Sequence, residues 1–147
     1  MGYQPEGNVT RLPRERVASE ELPYYRIIKQ SATEEQVSLC DAGEEPLGVT
    51  VPSTDQYRWD DTNKAMVLRG SYIANEYPEA VIEGIAYVEL GETVVAGERC
   101  IPGASGVGMA GEAELTALTA GELATTLGIF MDGGNAEDIV RVIIGGR

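Results

Sequence analysis

The sequence of 147 residues contains no histidine, two cysteines and two lysines. Without histidine the chain has no Ser-His-Asp or Cys-His catalytic arrangement, no histidine-ligated metal and no histidine-based pH switch. Neither lysine, Lys29 or Lys64, follows a glycine. This excludes the phosphate-binding loop in which a Gly-Lys pair reaches the phosphates of a nucleotide. We therefore expect a protein that is not an enzyme and that uses no cofactor or metal.

Basic residues in general are scarce. There are 11 Lys and Arg against 24 Asp and Glu, which gives a net charge of −13. A chain this acidic is expected to bind neither nucleic acid nor an anionic membrane, since both are polyanions. No apolar run approaches the roughly 18 residues of a membrane-spanning helix. The first residues lack the basic start and the apolar stretch of a signal peptide, so none is predicted.

The two cysteines, Cys40 and Cys100, lie far apart and beside apolar residues. Buried free thiols are the simplest interpretation. A disulfide would need an oxidising compartment, and the CxxC spacing of a zinc or redox site is absent. The sequence leaves their redox state open.

The first 22 residues differ in composition from the rest. Apolar residues are sparse, three prolines occur by residue 23, and three arginines balance four glutamates. A short helix could begin at Pro13 and end before Pro23, although so short a helix is unstable alone. We predict an extended arm over residues 1–22 that becomes ordered against a partner. A plain disordered terminus is the alternative. The candidate contact residues are Val9, Arg11, Leu12, Arg14, Arg16 and Val17.

From Tyr24 onward, short β-branched runs alternate with turns that contain Gly, Pro or Asn. This pattern predicts an all-β domain over residues 23–147, either a compact small barrel or a sandwich. For residues 112–120 the sequence is compatible with either a helix or a strand. In both Leu47-Gly48-Val49 and Leu127-Gly128-Ile129 a glycine lies within a predicted strand, which indicates a bulge or a close backbone approach. The predicted strands cover residues 24–30, 36–40, 47–51, 80–84, 85–90, 93–95, 127–131 and 138–144.

Gly106-Val107-Gly108-Met109-Ala110-Gly111 matches the G-x-G-x-x-G pattern of dinucleotide-binding folds. Its context does not fit, because residues 101–105 are loop-like and only 36 residues follow Gly111. A glycine-rich turn is the favoured interpretation. A small nucleotide-binding or enzymatic domain that uses Gly106–Gly111 remains the alternative function.

Aromatic residues are concentrated in one stretch, residues 57–78, within an apparent insertion at about 52–79. Aromatic side chains in such a stretch often anchor protein–protein interfaces. Capping the open end of a β core is an equally favoured alternative. We take four of them as candidate protein-interface residues: Tyr57, Trp59, Tyr72 and Tyr77.

Three blocks, taken in order, resemble the small capsid decoration (cement) proteins of tailed bacteriophages, which have a β-tulip or small-barrel fold. The blocks run from Tyr25 to Thr50, from Ala80 to Gly106, and from Leu127 to Val142. Each block alone is only glycine and β-branched residues, but their order and spacing match the family. The N-terminal arm and the aromatic insertion depart from the usual pattern. With this resemblance, the arm is expected to contact the capsid or a neighbouring subunit, and the four aromatic candidates are expected at a trimer or capsid interface.

The resemblance implies a structural role. Such proteins bind the outer surface of the phage head, commonly as trimers, and hold the capsid lattice against the pressure of the DNA inside. The expected partners are therefore the major capsid protein, other copies of this chain in a homotrimer, and neighbouring trimers reached through the arm. The expected location is the outer surface of the virion, after synthesis in the host cytoplasm.

Overall fold

The structure, a computed structural model, describes residues 6–13, 15–111 and 118–145. Over these residues it consists of fourteen strands, one short α-helix and one 3-10 turn. The strands are β1 (Glu6–Arg11), β2 (Val17–Ala18), β3 (Leu22–Pro23), β4 (Ile27–Gln30), β5 (Gln36–Leu39), β6 (Gly48–Thr50), β7 (Tyr57–Asp60), β8 (Ala65–Leu68), β9 (Ser71–Tyr72), β10 (Ala80–Glu89), β11 (Arg99–Pro102), β12 (Gly108–Gly111), β13 (Gly128–Phe130) and β14 (Ile139–Ile144). The helix α1 is Ala120–Ala124, and the 3-10 turn is Ala104–Gly106.

The predicted all-β class is confirmed. One ten-stranded sheet runs in the order β12-β11-β13-β14-β10-β6-β4-β5-β2, with β1 paired to β10. The described strands do not close into a barrel, because β12 and β2 lie at the two ends of this order. Two small sheets complete the fold, β3 with β9 and β7 with β8.

Strand β10 connects the parts of the large sheet. The sequence suggested two runs here, but Ala80–Glu89 forms one continuous strand. Its first residues pair with β6, its second half pairs with β14, and β1 also lies against it. Gly84, in the middle, has φ 109°, a conformation that only glycine adopts without strain. The change of partner therefore coincides with a glycine inside the strand.

The buried apolar side chains form two clusters. The larger one is formed mainly by residues of the second half of the chain, including Val88, Phe130 and Val142. The smaller one contains Leu12, Ala18, Leu22, Ile28, Val37, Tyr72 and Ala80. The second cluster joins N-terminal residues to the body of the protein.

The two Leu-Gly sites are places of close backbone approach, as predicted. A Cβ built on Gly48 would lie 2.4 Å from the carbonyl oxygen of Val81, and one on Gly128 would lie 1.8 Å from that of Ile143. Real Cβ atoms do not come so close to a backbone oxygen. Any side chain at these positions would push neighbouring strands apart.

Two loops of similar shape pair with each other in the second half of the chain. Loop A is residues 90–98 and loop B is residues 130–138. Each backbone hydrogen bond from loop A to loop B has a counterpart in the opposite direction, at one constant offset along the chain. The reciprocal pairs join Leu90 N–H to Asp138 O, Phe130 N–H to Glu98 O, Gly97 N–H to Phe130 O, Glu137 N–H to Leu90 O, and Val94 to Gly134 in both directions.

Several elements differ from the predictions. Strand β4 begins at Ile27 rather than Tyr24, since Tyr25 has φ 64° and interrupts the extended run. Residues 93–95 contribute only a single bridge, at Val94. Helix α1 begins at Ala120, with Thr119 as its capping residue, and residues 112–117 lie outside the described residues. Strands β7, β8, β11 and β12 were not predicted.

The described part of the N-terminal segment pairs with the body, whereas an extended arm was predicted. Strand β1 pairs with β10, β2 pairs with β5 and β3 pairs with β9. Leu12, Ala18 and Leu22 are each at most 6% exposed. The few apolar residues suffice because the body supplies the rest of their cluster. No helix forms after Pro13 among the described residues, since residues 17–18 and 22–23 are in strands.

Candidate interaction surfaces

The most unusual surface of the molecule is the hairpin of β7 and β8. The two strands pair only with each other among the described elements. Tyr57 lies opposite Leu68, and Trp59 lies opposite Met66. Since alternate residues of a strand point to the same side, these four side chains share one side of the hairpin. We call this surface, formed by Tyr57, Trp59, Met66 and Leu68, the apolar hairpin face.

All four side chains of this face are more than half exposed, from 53% for Trp59 to 71% for Leu68. Soluble proteins rarely leave contiguous apolar patches uncovered unless they bind something there. A two-stranded hairpin is also marginally stable by itself in water. The arrangement is therefore typical of a surface that a partner covers.

Polar contacts fix the tip of the hairpin. The N–H of Thr62 and the side-chain amide of Asn63 donate hydrogen bonds to Asp60, at 2.9 and 2.7 Å. The bond from the Asn63 side chain is the main reason that the pKa of Asp60 is lowered. The indole N–H of Trp59 donates to Asp61 at 2.8 Å. Lys64 completes the tip; its side chain is 74% exposed, 3.7 Å from Asp61.

Tyr72, unlike the other three aromatic candidates, is buried within its own chain. Its side chain is 2% exposed, and its hydroxyl donates a 2.6 Å hydrogen bond to the carbonyl of Val51. Burial raises its pKa. The ring packs edge-on against Tyr24, with centroids 5.3 Å apart, and Arg69 lies 5.6 Å from its centroid. Tyr72 therefore belongs to the smaller core cluster.

A cleft lies at the base of the hairpin. The Arg69 guanidinium binds the Glu76 carboxylate with two hydrogen bonds of 3.0 and 2.7 Å. Burial alone would raise the pKa of Glu76, but the hydrogen bonds from Arg69 and from the Ile73 N–H outweigh it and lower that pKa. Tyr77, 54% exposed, lies at this cleft. We call it the basal cleft; its volume is about 280 Å³, and its lining residues are Ser53, Thr54, Asp55, Arg69, Tyr72, Glu76, Tyr77 and Glu79.

The N-terminal contact candidates lie against their own chain. Val9 packs on the larger core cluster and Leu12 is buried in the smaller one. The N–H of Val17 donates to Glu35 O, and the Arg16 guanidinium donates to the Gln30 side chain. Arg11 is exposed opposite Val81. Arg14 lies outside the described residues. Contact of this segment with a second molecule stays a prediction.

Two further ion pairs lie within the chain. Arg141 binds Asp132 with bonds of 2.9 Å, and the Arg141 side chain is the main reason that the pKa of Asp132 is lowered. Lys29 bonds to Glu44, which raises the lysine pKa and lowers the glutamate pKa. Asp132 belongs to loop B, which joins the paired strands β13 and β14.

The remaining chemical candidates are structural. Cys40 and Cys100 are free and buried, as predicted, and burial raises the pKa of Cys40 to about 12. Of the glycine-rich run, Gly106 ends the 3-10 turn and residues 108–111 form β12, paired antiparallel with β11. A dinucleotide fingerprint instead places its last glycines at the start of a helix. Among the described residues no group of His, Cys, Asp and Glu could hold a metal ion, and no helix is long and apolar enough to span a membrane.

Sequence reasoning missed Met66 and Leu68. The signal was present: an alternating Tyr-x-Trp, a turn of Asp, Thr and Asn, and an alternating Met-x-Leu together describe a hairpin with one apolar side. The concentration of aromatic residues drew attention to single side chains instead of to the two strands that carry them.

Comparison with known proteins gives a likeness among solved structures. No protein-family model and no curated protein matches the chain. Among solved structures, the chain is similar to the N base of the head fiber gp8.5 of bacteriophage phi29, with a TM-score of 0.54 and 16% sequence identity. The match covers 88% of this chain and 90% of that one. At this identity, the likeness shows a shared fold.

Proposed function

We propose that this protein is a structural component of a bacteriophage head. In its finer form, the proposal is a decoration protein that binds the outer surface of the capsid as a homotrimer and stabilises the capsid lattice. The observation that supports it most is the shared fold with a head fiber base along nearly the whole of both chains. The sequence blocks that resemble decoration proteins support the same class independently.

The surface of the protein agrees with a binding role. The apolar hairpin face offers a protein-binding surface, whereas the glycine-rich run is committed to a turn and a strand. No observation favours the nucleotide-binding alternative. The expected partners are the major capsid protein and further copies of this chain, and the expected location is the outside of the virion.

The test is reconstitution on heads that lack decoration. Undecorated heads assembled from the major capsid protein of the phage that encodes this chain are mixed with the purified chain and sedimented. We expect the chain to sediment with the heads in multiples of three per site and to raise the temperature at which they break. A chain that stays in the supernatant at every ratio would overturn the proposal. Binding of ATP or NAD in equilibrium dialysis would favour the alternative.

A further inference from the structure

We propose that the backbone turn at residues 41–44 binds the backbone of Leu68 in a second copy of the chain. The inference rests on the homotrimer of the proposed function, and it names the two surfaces that join its subunits. It is carried by a turn that occurs four times in the part of the chain that the structure describes. Three of these turns bind a residue of another segment, and the fourth binds none.

The four turns share their sequence and their hydrogen bonds. The second residue is alanine, the third has φ between 74° and 93°, and the fourth is Glu or Asp. The carboxylate of the fourth residue accepts a bond from the N–H of the first, at 2.5–2.8 Å. The N–H of the fourth residue donates to the carbonyl of the first. We call each of them a clip; the clips are residues 41–44, 73–76, 95–98 and 135–138.

Three clips bind one residue each through two reciprocal hydrogen bonds. The N–H of the third clip residue donates to the carbonyl of the bound residue, whose own N–H donates to the carbonyl of the fourth clip residue. All six bonds measure 2.8–3.0 Å. The bound residues are Ala18 in clip 73–76, Phe130 in clip 95–98 and Leu90 in clip 135–138.

The bound residues have a common character. Each is apolar and at most 1% exposed. Ala18 and Phe130 are the last residues of β2 and β13, and Leu90 directly follows β10. A clip therefore binds the backbone of an apolar residue at the C-terminal end of a strand.

Clip 41–44 has the same form but is empty. Among the described residues, neither the N–H of Gly43 nor the carbonyl of Glu44 takes part in a hydrogen bond. Gly43 is exposed, and a Cβ built on it would meet nothing within 4 Å. A cavity of about 480 Å³ borders Glu44 and is lined by the apolar residues Pro46 and Leu47. A donor, an acceptor and room for an apolar side chain thus lie together at the surface.

Leu68 has the features of a bound residue. It is apolar, it ends strand β8, and it is 71% exposed. The N–H of Arg69 donates to the carbonyl of Gln56, which makes these two a hydrogen-bonded pair. Bonded and non-bonded pairs alternate along an antiparallel ladder, so the next pair, Tyr57 and Leu68, is non-bonded. The N–H and the carbonyl of Leu68 therefore point away from the hairpin, towards an incoming chain.

The two surfaces do not meet within one copy, where Leu68 is exposed and clip 41–44 is empty. Strand β8 contains no charged residue, so Leu68 brings no carboxylate to a clip whose Glu44 is already paired with Lys29. The outer edge of β7, in contrast, includes Arg58 and Asp60. Addition of a strand edge through main-chain hydrogen bonds is a common mode of protein recognition.

The contact joins two different surfaces of the same chain, so it is heterologous. Such contacts close into rings or continue as filaments. In a ring of three, each copy offers Leu68 to one neighbour and clip 41–44 to the other, which gives the homotrimer of the proposed function.

Amide hydrogen exchange of the full chain tests the contact directly, with the oligomeric state followed by light scattering. The amides of Asn75, Gly97 and Glu137 lie in occupied clips and should be protected at every concentration. The Gly43 amide should exchange rapidly in the monomer and about tenfold or more slowly in the assembled protein. Equal exchange of the Gly43 amide in the two states would overturn the proposal.

Replacement of the Gly43 amide by an ester removes the donor and keeps the shape of the turn. We expect it to weaken assembly by about tenfold, the effect of one hydrogen bond. Gly43→Asn is the matched control, because asparagine has this position in clip 73–76 and retains the N–H; it should assemble as the wild type does. Circular dichroism verifies that each variant is folded.

A pair of leucine variants tests the other surface. Leu68→Ser should weaken assembly by about tenfold or more. Leu123→Ser changes another exposed leucine, on helix α1, and should leave assembly unchanged. Equal effects of the two substitutions would contradict a specific role of Leu68.

The remaining outcomes separate this proposal from the proposed function. If the wild-type chain is a trimer and neither the ester nor Leu68→Ser weakens it, the clip contact is wrong and the homotrimer stands. Protection of the Gly43 amide only on heads would assign the clip to the capsid and overturn binding to a second copy. A chain that is monomeric at every concentration would overturn the trimer and this contact, while sedimentation would still decide binding to heads.

Discussion

The N-terminal segment and the segment that forms the β7–β8 hairpin were both predicted to make contacts outside the chain. In the structure, the apolar side chains of the first are buried and those of the second are exposed. The N-terminal segment has few apolar residues, yet Leu12, Ala18 and Leu22 are buried. The hairpin has many, yet its apolar side faces solvent. The difference shows that the amount of apolar side chain does not decide burial. What decides it is whether other elements provide a surface to pack against.

The largest expected effect comes from the same substitution made in both segments. Leu22→Ala removes a side chain that is fully buried in the smaller core cluster, and we expect the free energy of unfolding to fall by about 2–5 kcal/mol. Leu68→Ala changes a side chain that is 71% exposed, and we expect a change within about 0.5 kcal/mol for the dissociated monomer. Urea unfolding at a concentration that keeps the chain monomeric measures both. Equal losses would mean that the comparison is wrong.

The Leu22 prediction also changes what truncation should do. If residues 1–22 were a separate arm, deleting them would leave the β body intact. Because the segment supplies strand β1 and three buried side chains, we expect the truncated chain to lose much of its stability as well as any contact with heads. Unchanged circular dichroism and an unchanged unfolding midpoint after truncation would show that residues 1–22 form a separate arm.

A second, smaller contrast lies within the aromatic segment. The Tyr72 hydroxyl donates to the carbonyl of Val51 in the core, so Tyr72→Phe leaves a buried acceptor with one partner fewer. We expect a loss of about 1–2 kcal/mol. Tyr77→Phe, at an exposed ring, should change the unfolding free energy by less than about 0.5 kcal/mol. Thermal unfolding of the two variants side by side measures the difference, and a larger loss at Tyr77 would contradict the assignment of Tyr72 to the core.

The smallest effect is the dependence of stability on pH at the base of the hairpin. The folded pKa of Glu76 is lowered, so its pair with Arg69 contributes stability above the unfolded carboxyl pKa, near 4.5. That contribution is lost as the pH falls through the folded value. We expect Glu76→Gln to cost about 1 kcal/mol at neutral pH and to make the loss of stability between about pH 5 and pH 3 less steep.

The control for this prediction is Glu34→Gln, which changes an exposed glutamate away from the cleft and should keep the slope of the wild-type chain. Melting temperatures across this pH range provide the measurement. A Glu76→Gln profile parallel to that of the wild type would show that the pair carries no pH dependence.

How far the sequence predicted the fold depends on the kind of strand. Strands of alternating or continuous β-branched residues, such as 80–90 and 138–144, were predicted because their pattern is local. Strand β11 contains a proline and β12 is half glycine, so neither has a local strand signature. Their pairing with each other, and that of β11 with β13, gives them their structure.

The candidate interaction surfaces were likewise predicted only in part. Tyr57, Trp59 and Tyr77 proved to be exposed, but Tyr72 was indistinguishable from them in the sequence. Its burial depends on Tyr24, Val51 and the N-terminal strands, which are distant along the chain. The basal cleft could not be predicted for the same reason, because its walls come from residues 53–55 and 69–79 together.

The reciprocal pairing of loops A and B has a consequence for how the chain acquires its fold during synthesis. Loop A emerges from the ribosome well before loop B. The backbone groups of Leu90, Val94 and Gly97 nevertheless form their reciprocal hydrogen bonds with residues of loop B. Contacts between distant segments slow folding, because the intervening chain must be ordered before they form. The nascent chain must therefore wait, with this half of its sheet unfinished, until Ile139–Ile144 has been made. A fragment that ends before Ile139 should therefore lack this half of the sheet.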